Sequence, residues 1–146
     1  MKQKKGFTLI EILIVIGLIA VLAGVLVVAL NPARQFSQAR DAQRWNHIDT
    51  IISAVIANTT DNKGTFTCAA GAIPDTATDM KNSGGYDIAP CLIPSYAAQL
   101  PVDPSTGSWT SVTVYDTGYN ISKDAGGRVT VAAPGGEIDH AISITR

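Results

Sequence analysis

The sequence has few of the residues that usually carry out chemistry or bind metal ions. Its 146 residues include only two cysteines and two histidines. Cys68 and Cys91 form no Cys-x-x-Cys motif, and His47 and His140 have no neighbours at ligand spacing, so the pattern of a zinc site is missing. No phosphate-binding loop, paired-histidine motif or supported Ser-His-Asp arrangement is present either. We therefore expect no enzymatic activity and no required cofactor.

Charge is scarce as well. Eleven basic and twelve acidic side chains give a formal net charge of −1, which excludes a strongly basic nucleic-acid binder. Arg34, Arg40 and Arg44 form a short basic cluster. DNA contact is one interpretation of it, but we favour a solvated helix face or salt bridges between subunits, and expect no nucleic-acid partner.

One long stretch near the N-terminus is almost free of charge. Of residues 7–30, 20 out of 24 are hydrophobic, and residues 12–30 contain no charged side chain. A helix rises about 1.5 Å per residue, so 24 residues reach about 36 Å and can cross a hydrocarbon core about 30 Å thick. This run is longer than the apolar region of about 7–15 residues in a cleaved secretory signal.

The charges that flank this stretch predict its orientation. Lys2, Lys4 and Lys5 precede it, and the next basic residue is Arg34. The positive-inside rule then places the N-terminus in the cytoplasm and residues 31–146 outside. A plain membrane anchor would account for this much.

Glu11 is not explained by a plain anchor. A carboxylate within an apolar membrane segment costs several kcal/mol at depth and less near the edge. We therefore expect Glu11 to have a partner charge, either within the helix or on a neighbouring subunit. Gly17 and Gly24 lie seven residues apart, nearly on one helical face. Small residues there would let another helix approach closely, although membrane helices also contain glycine without such a role.

The junction before the stretch carries a family resemblance. Residues 4–24 read KKGFTLIEILIVIGLIAVLAG, with a basic leader that ends in Gly6, a hydrophobic run that begins at Phe7 and Glu11 as its fifth residue. This resembles the class III leader and N-terminal helix of type IV pilins and pseudopilins. The resemblance implies that a prepilin peptidase cleaves between Gly6 and Phe7 and methylates the new amino group of Phe7. It also implies that Glu11 pairs with the N-terminal amine of an adjacent subunit.

The resemblance further implies a fold and a function. The fold would be α+β, with a long N-terminal helix, hydrophobic in its first half and amphipathic in its second, packed on a small antiparallel sheet. The protein would be a subunit of a homo-oligomeric helical filament, a type IV pilus or pseudopilus, built by an assembly platform and its ATPase. It would first be a single-pass protein of the cytoplasmic membrane, with its N-terminus inside, and then part of an extracytoplasmic pilus or pseudopilus or of the cell surface. The alternative is a membrane-anchored, pilin-like binding protein, such as a minor pilin for adhesion or DNA uptake.

A second helix is expected after the membrane stretch. Asn31 and Pro32 predict a kink or break near residues 28–32, or an Asn31 cap with Pro32 in the first turn of a new helix. The helical pattern covers residues 33–58, where apolar residues recur at helical spacing and predict one buried face. That face comprises Trp45, Ile48, Ile52 and Val55, with Ile51 and Ile56 beside them. The opposite side, which includes Arg40, Asp41 and Arg44, is predicted to be solvated, with Asp41 and Arg44 as a small i,i+3 pair.

The region from residue 59 to residue 110 is predicted to be rich in loops. Outside the cytoplasm its two cysteines favour a Cys68–Cys91 disulfide that holds the loop over the helix. Residues 100–104, LPVDP, predict a rigid turn and resemble the LPxDP segment of major pseudopilins of the G type. In that group the following loop can hold calcium, which makes Asp103, Asp116 and Asp124 weak candidate ligands. The family's usual aromatic is replaced by Ser105, and turn-capping aspartates are the default interpretation.

The C-terminal part is predicted to form an antiparallel sheet. Alternating patterns favour strands at residues 111–116, 119–122, 128–133 and 141–145, with turns at 123–127 and 134–137. The expected organisation is a cleaved leader at 1–6, a membrane or fibre-core helix at 7–30 and its amphipathic continuation at 31–58. A loop-rich region at 59–110 and a sheet region at 111–146 follow.

Overall fold

A computed structural model describes residues 6–146, without the side chains of residues 29 and 30. Lys2, Lys4 and Lys5, on which the predicted orientation depends, lie outside the described residues. The chain divides into two compact units, Met1–Phe36 and Ser37–Arg146, and each is described by itself. The predicted α+β class is confirmed, because an N-terminal helix is followed by a second helix and a small antiparallel sheet.

Helix α1 spans Leu9–Leu30. Thr8 is its N-cap and forms a capping box with Glu11, which satisfies donors that the first turn leaves free. Within the described residues, α1 is the one helix that is long and apolar enough to cross a membrane. Its Leu9–Val28 part has a mean hydropathy of 3.0, and none of it is buried. A helix that is apolar on all sides has to be covered by lipid or by other helices.

The predicted break between the helices is confirmed at Asn31. Its backbone is left-handed, with φ of 41°, and α1 ends at the residue before it. Helix α2 begins at Pro32 and spans Pro32–Asp61. The N–H of Arg34 donates to the carbonyl of Asn31 at 3.1 Å and to its side-chain Oδ1 at 3.4 Å. Both interpretations of this pair of residues therefore hold, since Asn31 interrupts the helical backbone and also caps α2.

Helix α2 continues past Asn58, where the sequence pattern predicts its end. The hydroxyls of Thr59 and Thr60 each donate, at 2.8 Å, to the carbonyl four residues earlier. These side chains are therefore satisfied inside the helix instead of ending it. The chain turns away at Lys63 and Gly64, whose φ angles of 59° and 88° are left-handed, and the N–H of Gly64 donates to the Thr59 carbonyl at 2.8 Å.

One face of α2 belongs to the core of the second unit, but the predicted face is only partly right. Ile48, Ile52 and Val55 are buried as predicted, and Ile51 is buried with them. Trp45 is 39% exposed, so its assignment to the buried face is wrong. The sheet and the connecting segments complete the core with Ile73, Met80, Ile88, Leu92, Tyr119, Ile121 and Val131, among others.

The sheet has five antiparallel strands. These are β1 (Thr78–Lys81), β2 (Ser108–Ser111), β3 (Val114–Lys123), β4 (Val129–Ala132) and β5 (Ser143–Thr145). Their order is β1-β3-β4-β5, and β2 also pairs with β3. The last two strands and the turn between β3 and β4 agree with the prediction. The loop-rich region also contains β1, β2 and the short helix α3 (Ala89–Leu92), which are too short for a periodic pattern to show.

The residues predicted as strands at 111–116 and 119–122 are mostly in strand, but their division into two separate strands is wrong. A tight connection at residues 112–113 links β2 to β3, and β3 is a single strand of ten residues. Alternate side chains of β3 are buried, at Tyr115, Thr117, Tyr119 and Ile121. Gly118 has a left-handed φ of 71° within this strand and does not end it.

The predicted Cys68–Cys91 disulfide is present, with the two Cα atoms 5.0 Å apart. The buried amide of Asn58, near the end of α2, contacts both sides of the crosslink. Its Nδ2 donates to the carbonyls of Thr67 and Cys91, each at 3.1 Å, and its Oδ1 accepts the N–H of Thr67 at 2.9 Å. The disulfide and Asn58 together fasten the loop to α2, as the sequence predicts.

Replacing both cysteines, Cys68→Ser with Cys91→Ser, should lower the free energy of unfolding of the second unit by about 3 kcal/mol. The reason is that a closed loop of this length restricts the unfolded chain. Urea unfolding of the detergent-solubilised protein, followed by tryptophan fluorescence, measures the change. An unchanged urea midpoint would contradict this assignment of the crosslink.

Candidate functional site

The segment before α1 is exposed and irregular. Gly6, Phe7 and Thr8 lie outside regular secondary structure, and Phe7 is 84% exposed. A Cβ atom added at Gly6 would meet nothing within 4 Å. The fold itself therefore does not require glycine at this position, and the bond between Gly6 and Phe7 is open to an enzyme.

Glu11 contacts Thr8 in the first turn of α1. Its Oε2 accepts the backbone N–H of Thr8 at 2.8 Å and the Thr8 hydroxyl at 2.9 Å. The N–H of Glu11 in turn donates to the Thr8 hydroxyl oxygen at 3.3 Å. Thr8 was not predicted as the N-cap from the sequence, although Thr-x-x-Glu before an apolar run is a signature of a capping box.

This cap does not depend on the residues before Phe7. The amide that Glu11 accepts belongs to the peptide bond between Phe7 and Thr8, so it would remain after a cut between Gly6 and Phe7. Both bonds from Thr8 reach Oε2, and a carboxylate has capacity for further donors at its other oxygen. The described contacts of Glu11 are hydrogen bonds with a neutral residue, so its expected partner charge stays a prediction.

Gly17 and Gly24 leave open positions along α1. A Cβ atom at either residue would meet nothing within 4 Å. The surface of α1 therefore has room for a helix from outside the described unit to approach closely. Packing of another helix against these glycines stays a prediction.

In the second unit, Arg44 lies at the centre of a buried group of charges. We call Arg40, Asp41, Arg44, Asp103 and Glu137 the ionic cluster. Arg44 is completely buried and contacts Asp103 at 2.6 Å, Asp41 at 2.7 Å and Glu137 at 3.2 Å. Arg40 pairs with Glu137 as well. The Arg44 guanidinium thereby joins helix α2, the turn between α3 and β2, and the C-terminal loop.

Backbone amides hold the carboxylates of the ionic cluster. Asp41 accepts the N–H groups of residues 137, 138 and 139 at 2.8–3.3 Å. Asp103 accepts those of Ser105 and Thr106 at 2.8 and 3.0 Å. A Cβ atom at Gly135 would lie only 3.0 Å from Asp103 Oδ2, so a residue without a side chain lets the C-terminal loop approach the cluster.

The cluster lowers the pKa values of its acids. Burial opposes the ionisation of Asp41, but its backbone donors and Arg44 outweigh burial, and its pKa falls below the usual value. Burial opposes the ionisation of Asp103 in the same way, while Arg44 and two backbone N–H groups lower its pKa. Arg40 and then Ser37 lower the pKa of Glu137 to about 2. All three carboxylates are therefore charged at neutral pH.

The structure corrects the prediction of a solvated polar face on α2. Asp41 and Arg44 do form the predicted i,i+3 pair, but both are buried. Arg40 and Arg44 bind acids of their own chain, so these two are not free cations for DNA or for another subunit. Glu137 escaped the sequence analysis because it lies 93 residues from Arg44, and no local pattern connects them.

The three candidate calcium ligands are not gathered into one site. Asp103 belongs to the ionic cluster, Asp116 accepts the N–H of Gly118 at 2.9 Å, and Asp124 pairs with Arg128 at 2.8 Å. Over residues 6–146, no group of three or more His, Cys, Asp or Glu side chains is placed to hold a metal ion. Asp103 and Asp124 also accept backbone N–H groups in turns, as the default interpretation expects, whereas Asp116 lies within β3.

Replacing Arg44 with methionine, Arg44→Met, should lower the free energy of unfolding of the second unit by about 3–5 kcal/mol. Loss of the guanidinium leaves buried carboxylates without their cation. Arg128→Met is the matched control, because the Arg128 side chain is 71% exposed and surface pairs contribute little. Urea unfolding of the full chain checks both variants, and equal losses would contradict a special role for Arg44.

Stability should also fall as the pH drops below about 4.5. The folded-state pKa values of Asp41, Asp103 and Glu137 are lowered, so the unfolded state binds more protons over this range. Their contribution is present above the unfolded pKa values of about 4 and is lost as the pH approaches the folded value of about 2 for Glu137. Urea midpoints at pH 6, 4 and 3 measure the loss. Asp103→Asn should show a shallower pH dependence, and a midpoint that rises on acidification would contradict the cluster's contribution.

Comparison with known proteins adds one finding, and it concerns the N-terminal segment. Residues 1–27 match the prokaryotic N-terminal methylation motif. No curated protein and no solved structure matches the chain. The match covers the exposed Gly6 and Phe7, the capped Glu11 and most of the apolar helix. The chain therefore carries a class III prepilin leader, the motif typical of type IV pilins and pseudopilins.

Proposed function

We propose that the protein is a structural subunit of a type IV pilus or of a pseudopilus. It is held in the cytoplasmic membrane as a precursor, cleaved between Gly6 and Phe7, methylated at Phe7 and polymerised through α1. One observation carries the proposal: the methylation motif stands at the start of a membrane-length helix of which no part is buried within the chain.

The apolar surface of α1 suits both storage and assembly. In the membrane, lipid tails cover the helix. In a filament, neighbouring copies of the same helix would cover it, so transfer from one to the other leaves little apolar surface in water. Repeated contacts between two different surfaces of identical subunits produce an open helical fibre when they do not close into a ring. A structural subunit of this kind needs no catalytic group.

Glu11 would set the position of each subunit in the fibre. After cleavage the amine of Phe7 is a new cation at the end of the apolar segment. Paired with Glu11 of an adjacent subunit, each charge would compensate for the other in an apolar interface where either alone is costly. A buried polar contact of this kind fixes the axial register of packed helices. The Thr8 cap would hold the Glu11 carboxylate in place until the amine arrives.

The second unit would lie outside the cytoplasm. Lysines precede α1 and the positive-inside rule places them in the cytoplasm. A disulfide connects Cys68 and Cys91, and such bonds persist in oxidising compartments. The partners of this pathway would be a prepilin peptidase, an assembly platform with its ATPase, and further copies of the chain.

The Glu11 pairing can be tested with two substitutions. Glu11→Ala should leave cleavage intact and reduce fibres at least tenfold, because the amine of the next subunit loses its partner. Glu11→Gln should fail to the same extent, since it keeps a side-chain oxygen for Thr8 but removes the charge. Electron microscopy and a quantitative assay of sheared fibres measure assembly, and immunoblots measure cleavage. Normal fibres from Glu11→Gln would contradict the proposed charge pairing.

A further inference from the structure

A cleft of about 220 Å³ opens at the end of the second unit where α2 finishes. Thr59 and Gly64 line it from the end of α2 and its turn. Phe66 lines it from the segment before Cys68, Ile73 from the disulfide loop, and Lys123 and Val129 from strands β3 and β4. Ile73 is buried, and Phe66 and Val129 pack against the core. The cleft thus combines apolar walls with a cation, and its volume suits a single side chain.

The cations at this cleft have no acid of their own. Among the described residues of the second unit, Lys63 and Lys123 take part in no ion pair, and Lys63 directly precedes Gly64 of the cleft. The other cations of this unit, Arg40, Arg44, Lys81, Arg128 and Arg146, all have acidic partners. Lys63 and Lys123 beside the cleft are therefore the lysine and arginine side chains of the described second unit that lack an acidic partner.

The C-terminal loop carries the complementary features, an exposed apolar side chain beside an acidic one. Ile138 is 40% exposed, and Asp139 beside it is exposed. The Asp139 carboxylate accepts the N–H of Ala141 at 3.2 Å and has no cation within the described residues. The backbone N–H groups of both residues donate to Asp41, at 2.8 and 3.1 Å. We call these two residues the tip. The buried Asp41 holds the tip in one conformation, which lowers the ordering cost of binding.

The tip and the cleft lie at opposite ends of the same unit. Asp41 holds the tip and Thr59 lines the cleft. These two positions are 18 residues apart along α2, which corresponds to a rise of about 27 Å. The two surfaces cannot meet within one copy. They are also different surfaces, so contact between them is heterologous and extends from copy to copy in one direction.

We propose that the tip of one copy docks in the cleft of the next, with Ile138 against the apolar walls and Asp139 paired with Lys123. The proposal rests on the proposed function and adds to it a contact between the second units of neighbouring subunits. Apolar and charge complementarity both favour a second copy as the occupant. The contact would work together with α1 and would fix the direction in which the second units stack.

Charge reversal in the full-length protein tests the pairing in the native host. Lys123→Glu and Asp139→Lys should each reduce sheared fibres at least fivefold, and the two substitutions together should restore at least half of the wild-type yield. Lys81→Glu and Asp79→Lys are matched controls, because these two residues pair with each other and line neither surface, and neither substitution should alter fibre yield by more than twofold. Immunoblots for the cleaved form check that every variant is present and processed.

A crosslink provides a second measurement. Ile138→Cys combined with Thr65→Cys, at the rim of the cleft, should give a ladder of disulfide-linked multimers, whereas either single variant stops at dimers. Unchanged fibres from Lys123→Glu, no rescue in the double reversal, or no ladder would each overturn the docking proposal. If a different partner occupies the cleft, the single charge reversals should reduce the fibre yield and the double reversal should not restore it. If the wild-type chain is processed and forms fibres in that experiment, the proposed function stands even though the docking fails.

Discussion

The apolar surface of α1 has to be covered, and the chain does not cover it. No part of Leu9–Val28 is buried, although such a helix in water would expose more apolar area than a soluble monomer tolerates. Lipid or other copies of the helix must therefore surround it. The remaining features of the N-terminal unit follow from this constraint. The capping box satisfies the first turn, Glu11 is the single acid of the helix, and the open positions at Gly17 and Gly24 leave room for neighbours.

The second unit is organised around a different constraint, the burial of Arg44. A guanidinium removed from water needs acids and hydrogen bonds on every side, and these come from three separate parts of the chain. Asp41 lies on the same helix, Asp103 on the turn before β2, and Glu137 on the C-terminal loop. The backbone of that loop also binds Asp41. The same contacts that satisfy Arg44 thus present Ile138 and Asp139 at the surface.

Local patterns in the sequence predict much of this architecture. The length of the apolar run, the break at Asn31 and Pro32, the strands near the C-terminus and the one available cysteine pair all depend on neighbouring residues or on simple counts. The ionic cluster could not be predicted in this way. On a helical wheel Asp41 and Arg44 belong to a polar face, and their partners lie 59 and about 95 residues away. The extent of β3 could not be predicted locally either, because pairing with β1 and β4 continues this strand through Gly118.

Under the proposed function, the chain is a prepilin-like precursor whose leader is removed and whose helix is kept. Mass spectrometry of the protein isolated from its host membrane tests this claim most directly. The expected result is a mature chain that begins with N-methylated Phe7. This chain has 140 residues, because six of the 146 are removed. Gly6→Leu should block this cut without disturbing the fold, because a side chain at Gly6 meets nothing within 4 Å. A chain that retains Met1, or one cleaved after the apolar helix, would contradict the account.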